Sequence, residues 1–306
     1  MTLGARGITR SYGALVAVAA LDLEASPGSV LAVLGPNGAG KTTTLDMLSG
    51  TTRPDSGVVT WNGMPAEPRQ LRRLVGVCPQ TVQTWPRLTC AEQVAFLTRL
   101  YGLGRSAAAD RASVLLDRVG LGAKRDSQAR TLSGGMLRRL NIALALVSDP
   151  PALVLDEPEA GLDPQSRVLI RDLIGELADD RVVIVTSHDL AEVERVADRI
   201  LILDHGLGVA EGTPRELLDR FDLGRAVDFS TDPADAGTLL TAVARMGADA
   251  TASGDQVTAR LGAGGPGLSA LLLAVERSGV PVLAVHTREP SLEDVFLHLT
   301  GRGMRE

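Results

Sequence analysis

The chain has 306 residues, of which 44% are hydrophobic and 22% are charged, and its formal net charge at pH 7 is −6. This composition is that of an ordinary globular protein, and the length allows two domains. The negative charge and the lack of any basic block argue against nucleic acid as a partner, because phosphate backbones are held by clustered Lys and Arg.

Every apolar run is shorter than the roughly 18–20 residues of a spanning helix, so we expect no direct membrane insertion. Cys78 and Cys90 lack C-x-x-C or zinc spacing, and we expect two reduced thiols in a cytosolic protein.

The N-terminal part is predicted to be rich in β structure, with runs at 7–9 and 15–23 before a continuous apolar strand at 30–34. Tyr12 follows the first run. An aromatic ring at this place can stack on a nucleotide base, and a half-buried aromatic of a strand is an equally good interpretation.

A glycine-rich loop at residues 35–42, with the sequence GPNGAGKT, separates the apolar strand from a helix-forming run that stops before Gly50. Strand, loop and helix in this order are the context in which G-x-x-x-x-G-K-[ST] holds phosphate. Backbone N–H groups and the positive end of the helix converge on the anion, Lys41 adds a compact charge, and the Thr42 hydroxyl suits Mg²⁺. The predicted phosphate-binding residues are Gly35, Pro36, Asn37, Gly38, Ala39, Gly40, Lys41, Thr42 and Thr43.

The segment after this loop changes from β to helical periodicity. Asn62-Gly63 is a strong hairpin signal, and a strand at 74–80 stops at its proline and leaves Gln80 at the exit. Thr89 and Glu92 then form a capping box, so we predict a helical insertion over about residues 86–148.

A second glycine-rich turn lies inside this insertion, where Ser133, Gly134 and Gly135 precede a helix over about 137–147. A Ser and two glycines at a helix start form a second possible anion site. A simple Ser N-cap explains the same residues equally well.

Two further apolar strands end in polar residues. The strand at 153–155 is followed by Asp156 and Glu157, and the strand at 182–186 is followed shortly by His188. The carboxyl edge of a parallel sheet is where α/β proteins bind ligands, and Mg²⁺ on phosphate takes one or two carboxylates. We therefore predict a magnesium site here, the alternative being solvated acids after a core strand.

Together these segments resemble the nucleotide-binding subunits of ABC transporters, over about residues 1–220. The matching positions are 35–42 (Walker A), Gln80 (Q-loop), 132–136 (the LSGGQ signature), 153–157 (Walker B), 161–163 (D-loop), His188 (switch histidine) and Tyr12 (adenine-stacking aromatic). Walker A alone is shared with GTPases, kinases and helicases, whereas the signature between Q-loop and Walker B is specific. Two residues depart from the family pattern: Met136 stands in place of Gln, and Glu159 stands in place of a frequent Thr. We expect Met136 to have little effect on activity, and the residues alone do not predict the effect of Glu159.

The resemblance implies an α/β P-loop NTPase fold, an ABC-type ATPase core with an antiparallel β subdomain and a helical subdomain. It implies ATP and Mg²⁺ as cofactors, with the metal on Thr42, Gln80 and Asp156. Glu157 would be the general base, and His188 and Gln80 would position the γ-phosphate and the attacking water. Two subunits would pack head to tail as a homodimer, each ATP lying between Walker A of one and the signature of the other. The partner-side nucleotide contacts would be Ser133, Gly134 and Gly135 of the signature, and Asp163 of the D-loop would also bind nucleotide.

The resemblance also implies separate polytopic permease subunits, which would hold the ATPase at the cytoplasmic face of the membrane as a peripheral protein. Residues 81–88 form a predicted exposed loop, and the permease is expected to touch 85–88. An ABC importer ATPase and a non-transport ABC ATPase remain alternatives, although tandem ATPase units or a long coiled coil, typical of the translation and repair proteins, are missing. A GTPase would need an N-K-x-D motif, which a chain with Lys only at 41 and 124 cannot form.

The C-terminal part, residues 221–306, is predicted to be a small α+β domain that follows the ATPase domain at 1–220. Its predicted strands are 226–230, 256–261 and 280–286, and its predicted helices are 234–246, 268–278 and a last helix capped at Ser291. Residues 290–296 resemble the ending of ATPases from drug-resistance and antibiotic-export ABC systems, which favours an exporter over an importer.

Overall fold

The computed structural model describes residues 1–221, 224–261 and 267–301. The chain forms two compact units, which meet in sequence at Pro214 and Arg215. The elements of the first unit are β1 (Leu3–Tyr12), β2 (Leu15–Ala25), β3 (Val30–Leu34), α1 (Lys41–Leu48), β4 (Ser56–Trp61), β5 (Met64–Pro65), α2 (Pro68–Leu74), β6 (Val75–Cys78), α3 (Cys90–Leu100), α4 (Arg105–Arg118), α5 (Gly134–Ala145), β7 (Ala152–Leu155), α6 (Pro164–Ala178), β8 (Val182–Ser187), α7 (Leu190–Val196), β9 (Arg199–Asp204) and β10 (Leu207–Gly212).

A mainly parallel sheet with the strand order β10-β9-β3-β8-β7-β6 forms the centre of this unit, and β10 runs antiparallel to β9. Every residue of β3 and β7 is buried, as a sheet covered on both faces requires. Since the strands are parallel, the carboxyl ends of β3, β6, β7 and β8 share one edge. These strands are followed by the predicted site residues of the glycine-rich loop, by Gln80, by Asp156 and Glu157, and by His188.

A separate antiparallel sheet has the order β2-β1-β4-β5. Asn62 and Gly63 have φ values of +52° and +76° in the turn between β4 and β5, so the predicted hairpin is confirmed. Ile8 and Val59 of this sheet share a buried core with Met47 and Leu48 of α1. This core fixes the antiparallel sheet against the helix that follows the glycine-rich loop.

The helices α3 to α5 occupy the stretch where a helical insertion is predicted. Thr89 and Glu92 form the predicted capping box, with both of its hydrogen bonds present. The helices α2 and α7 were not predicted from the sequence, because each has seven residues and gives a 3.6-residue period less than two turns to repeat. The predicted strand at 74–80 is shorter in the structure, since its first residue ends α2.

The second unit contains a four-stranded antiparallel sheet with the order β12-β13-β11-β14. Its elements are α8 (Pro214–Phe221), β11 (Arg225–Thr231), α9 (Ala236–Ala244), β12 (Asp249–Ser253), β13 (Gln256–Leu261), α10 (Leu268–Ser278), β14 (Val282–Arg288) and α11 (Leu292–Thr300). Phe229, Leu239 and Leu271 belong to a core of its own. The edge strand β12 was not predicted, because its side chains are mostly exposed and carry no apolar alternation.

The strand predicted at 280–286 lies two residues further on, and the helix predicted at 234–246 is shorter, ending at Ala244. The capped last helix is confirmed by the capping box at Ser291. The domain limits at 220 and 221 stay predictions, and the predicted domain's end, 302–306, lies outside the described residues.

Candidate functional site

The glycine-rich loop leaves β3 and enters α1 at Gly40. Gly38 and Gly40 have φ values of +81° and +103°, which side-chain-bearing residues rarely adopt. Space is short as well: a Cβ atom on Gly40 would lie 2.3 Å from the Ala17 carbonyl oxygen, and one on Gly35 would lie 2.5 Å from that of Leu203. The loop therefore depends on glycine for its conformation and for its close contacts.

The Lys41 ammonium lies inside this loop. Its Nζ donates hydrogen bonds to the carbonyl oxygens of Gly35 at 2.6 Å and Pro36 at 3.2 Å, and Glu157 Oε1 lies 3.9 Å away. Burial lowers the pKa of Lys41, while the charges of Glu157 and Asp156 act in the opposite direction. A positive charge thus sits between the loop and the carboxylates that follow β7.

Asp156 is joined to two hydroxyl groups. Thr42 Oγ1 donates to its Oδ2 at 2.9 Å, and Thr186 Oγ1 donates to its Oδ1. A hydroxyl and a carboxylate side by side are the hard oxygen ligands that Mg²⁺ prefers, so these residues fit that ion beside a bound phosphate. Thr186 was not predicted as a site residue, since its only signal in the sequence is a hydroxyl near the end of a buried strand, two residues before His188.

Glu157 lies at the centre of the site and is almost fully buried. Its Oε2 accepts a hydrogen bond from Gln80 Nε2 at 2.7 Å, and its Oε1 lies 2.9 Å from His188 Nδ1. Its backbone has a φ of +46°, a strained value for a residue with a side chain, and its N–H donates to Thr186 Oγ1 at 2.9 Å. Gln80, Glu157 and His188, which follow three different strands, therefore meet as the sheet edge predicts.

The signature turn, residues 133–135, contacts a different set of residues from those around Glu157. Ser133 caps α5 by accepting a hydrogen bond from the Met136 N–H at 3.3 Å. Gly135 packs on Ser166 so closely that a Cβ atom would lie 2.3 Å from Ser166 Oγ. Ser166 in turn bonds to Asp163, the N-cap of α6, through its N–H and hydroxyl. The signature and the D-loop are therefore held together within one chain.

Tyr12 ends β1 with its ring about half exposed. The Arg10 guanidinium lies 5.0 Å from the ring centroid and bonds to Asp55 Oδ1 at 2.6 Å. Tyr12 pairs with Leu15, two residues before Ala17, whose carbonyl faces the phosphate loop. One face of the Tyr12 ring is thus covered by Arg10, and stacking of the ring on adenine stays a prediction.

Glu159, one of the two departures from the family pattern, is buried beside Glu192. Burial, followed by the charge of Glu192, raises the pKa of Glu159 to about 7, and the charges of Arg171 and Arg167 act in the opposite direction. Arg171 Nη2 lies 3.9 Å from Glu159 Oε2. This environment could not be predicted from the residues around Glu159, because its charged neighbours come from α6 and α7.

A buried parallel sheet with a glycine-rich phosphate loop after β3 and two carboxylates after β7 defines a nucleotide-binding protein of the P-loop class. The family model described as ABC transporter matches residues 18–160. The chain is 37% identical to Nod factor export ATP-binding protein I of Ralstonia nicotianae, over 99% of this chain and 95% of that protein. It is 34% identical to the linearmycin resistance ATP-binding protein LnrL of Bacillus subtilis, over 99% and 100%, and 38% identical to the daunorubicin/doxorubicin resistance ATP-binding protein DrrA of Streptomyces peucetius, over 96% and 91%. The chain belongs to the ATP-binding proteins of the ABC transporter family, and the predicted family is confirmed.

Solved structures give the same result for the fold. An ATP-binding subunit of an ABC transporter matches 72% of this chain and 93% of its own, with 28% identity and a TM-score of 0.64. The ATP-binding cassette MJ0796, in a dimeric post-hydrolysis state bound to ADP and Pi, matches 69% and 98%, with 25% identity and a TM-score of 0.62. The predicted P-loop ATPase fold is confirmed.

In the part of the chain that the structure describes, no helix combines the length and the apolar character needed to cross a membrane.

Proposed function

We propose that this chain is the ATP-hydrolysing subunit that powers an ABC exporter. The observation that carries this proposal is the Glu157 carboxylate, held by Gln80 and His188 beside the Lys41 ammonium. A buried, oriented carboxylate next to a phosphate loop suits a general base that takes a proton from water. The relatives named above, which are export and resistance proteins, support the direction of transport.

Each residue has a chemical role in this proposal. The loop N–H groups and Lys41 hold the phosphates, and Thr42 with Asp156 would hold Mg²⁺, which neutralises phosphate charge when bound. Glu157 accepts the proton of the attacking water, while Gln80 and His188 orient that water and the γ-phosphate. Gln80 bonds to Glu157 in this structure, and its further role as a metal ligand is part of the proposal.

Two copies are proposed to enclose ATP head to tail, so that Ser133 and its glycines meet the phosphates of the partner. Ser133 and Gly134 are exposed at the start of α5, where free N–H groups and the helix dipole favour an anion. The dimeric state of the similar cassette MJ0796 supports this arrangement.

Separate permease subunits are proposed to hold the dimer at the cytoplasmic face of the membrane and to dock at residues 85–88. Trp85 and Phe96 are both partly exposed and make an edge-to-face contact with centroids 5.7 Å apart. Trp85 also borders a groove with Val77 and Leu97. Substitution of Trp85 should weaken permease stimulation of the ATPase without weakening ATP binding, and unchanged stimulation would contradict this docking site.

The proposed function is tested by ATP hydrolysis of the purified full chain with Mg²⁺. Glu157→Gln keeps the shape of the base but cannot accept the proton, so the rate should fall by about 10²–10⁴ while ATP still binds. Lys41→Ala should weaken ATP binding itself, because Lys41 contacts phosphate before the reaction. Glu176→Gln, an exposed carboxylate change on α6, is the matched control. A wild-type chain that binds no ATP, or Glu157→Gln with the wild-type rate, would contradict the proposal.

A further inference from the structure

Arg138 lies one turn into α5, the helix that begins at the signature, and only 3% of the residue is exposed. Its guanidinium donates to four main-chain carbonyls. Nε bonds to Pro158 O at 3.0 Å, Nη1 to Pro79 O at 2.5 Å and Gln80 O at 3.2 Å, and Nη2 to Asp156 O at 2.5 Å. All four acceptors follow the carboxyl ends of β6 and β7. One side chain therefore joins α5 to two separate stretches of the chain, the segment after β6 and the segment after β7.

The positions of these carbonyls relate Arg138 to the reacting groups. Asp156 and Pro158 lie on either side of Glu157, whose backbone is already strained. The third acceptor is the carbonyl of Gln80, whose side chain bonds to Glu157 at 2.7 Å. The guanidinium thus holds the main chain on both sides of Glu157, the proposed base. It also holds the main chain of Gln80, whose side-chain amide orients that base.

A planar guanidinium suits this task better than an ammonium, because its N–H groups form a rigid fork with fixed directions. A second contact comes from the next turn of α5, where Asn141 Oδ1 accepts a hydrogen bond from the Gln83 N–H at 3.3 Å. The helix therefore holds the segment after β6 at two points. A shift of α5 must either carry Gln80 with it or break these bonds.

We propose that Arg138 is a positioning residue for hydrolysis, which fixes Glu157 and Gln80 relative to the signature turn of its own helix. This inference rests on the proposed function, in which that turn meets the nucleotide of the partner subunit. Contact of Ser133 with the ATP held in the partner's phosphate loop would then set the position of Glu157 beside the ATP held in its own phosphate loop. The Arg138 guanidinium donates to main-chain carbonyls after β6 and β7 and not to the phosphate loop, so we expect an effect on the rate and not on ATP binding.

The test compares Arg138→Gln and Arg138→Lys with Arg139→Gln in the purified full chain. Arg139 is the matched control, because its Nη1 also donates to two main-chain carbonyls, those of Val119 and Gly120, each at 3.0 Å, at the end of α4. Arg138→Gln should lower kcat about 10- to 100-fold, the effect of a misplaced catalytic group. Its dissociation constant for ATP should stay within about threefold of the wild-type value, because the residues that bind ATP before the reaction are unchanged. The kcat of Arg138→Lys should lie between those of Arg138→Gln and the wild type, and Arg139→Gln should keep the wild-type kcat.

Equal kcat values in Arg138→Gln and Arg139→Gln would overturn the inference. The hydrogen bonds of Arg138 would then have no effect on the rate beyond the general packing of α5. A parallel loss of ATP affinity and kcat in Arg138→Gln would overturn it as well. Should Arg138→Gln fail to fold, Arg138→Lys decides: a lower kcat at unchanged affinity supports the inference, and a wild-type kcat overturns it. A wild-type chain without ATPase activity would instead reject the proposed function and, with it, this inference.

Discussion

Glu159 illustrates how a single buried carboxyl alters the balance of charge next to the proposed base. It is 4% exposed, two residues after Glu157, and shares its surroundings with Glu192. Arg167 binds Glu192 and also donates to the Leu162 carbonyl at 3.0 Å. Like charges at Glu159 and Glu192 would therefore weaken the contact between α7 and the turn that precedes α6.

The raised pKa of Glu159 makes stability depend on pH. Because the folded-state pKa is about 7 and the ordinary value is 4.5, the folded chain binds this proton more tightly than the unfolded chain. The contribution is fully present below the ordinary pKa and is lost as the pH rises through about 7. Glu159→Gln, which stays uncharged, should melt at a higher temperature than wild type above neutrality, and the difference should shrink in acid. Thermal melts in buffers on both sides of the transition measure this, with Glu176→Gln as the exposed control. A pH-independent difference would contradict the assignment.

Asp294 connects α11 to the sheet of the second unit. Its Oδ1 accepts from Arg260 Nη2 at 2.7 Å, its Oδ2 accepts from Arg288 Nη1 at 2.5 Å, and the Ser291 N–H donates to Oδ2 at 2.9 Å. Although burial acts in the opposite direction, the hydrogen bonds from Arg288, Ser291 and Arg260 hold the pKa of Asp294 well below its usual range. Leu292, Val295 and Phe296 are fully buried on the same helix, so polar and apolar contacts fix α11 together.

Removal of this charge should free α11 from the sheet. Asp294→Asn leaves two guanidinium groups without their carboxylate and should destabilise the second unit by roughly 2 kcal/mol or more at neutral pH. Because the pKa is depressed, the stabilisation is present above the ordinary pKa and is lost in acid, so the difference from wild type should vanish at low pH. Hydrogen exchange of the amides in α11 and β14 measures this effect locally. Glu293→Gln, an exposed neighbour on the same helix, should leave exchange unchanged. Equal protection in Asp294→Asn and wild type would show that apolar contacts suffice.

The elements that the sequence predicts well are those whose signals lie in consecutive residues. The phosphate loop and both capping boxes need only a few neighbouring positions, and the parallel sheet then brings Gln80, Glu157 and His188 together. Thr186 and Arg138 could not be predicted as part of the site, because their partners lie far away in sequence and are largely main-chain groups that carry no residue-specific signal. The short helices α2 and α7 and the exposed edge strand β12 could not be predicted, because their residues show too little hydrophobic periodicity.

At the scale of the whole molecule, the site belongs to the first unit alone. Its phosphate loop, strand ends and signature turn all precede residue 214, and each unit has its own buried core. Deletion of residues 222–306 should therefore leave a folded core that binds ATP as the full chain does. Equilibrium binding of a fluorescent ATP analogue measures this, with Lys41→Ala in the full chain as the non-binding reference. A truncated chain that folds but does not bind ATP would show that the domain limit is misplaced.

The proposed head-to-tail dimer predicts a stable complex when hydrolysis is blocked. Glu157→Gln should accumulate as an ATP-bound dimer, because ATP is shared between two copies and the step that releases it is slow. Ser133 is exposed at the start of α5, so an arginine there would fill the space meant for the partner's phosphate without entering the core. Ser133→Arg in the Glu157→Gln background should abolish the dimer.

Loss of the N-cap alone is a second effect of this change, since Ser133 Oγ accepts a hydrogen bond from the Met136 N–H. Removing such a cap costs about 1 kcal/mol, which Ser133→Ala in the same background measures without adding bulk. Size-exclusion chromatography with and without ATP should show a dimer for Glu157→Gln, a weaker dimer for the Ser133→Ala double variant and a monomer for the Ser133→Arg double variant. A dimer that survives Ser133→Arg would place the interface elsewhere, because an added side chain at the signature turn cannot coexist with a phosphate group bound there.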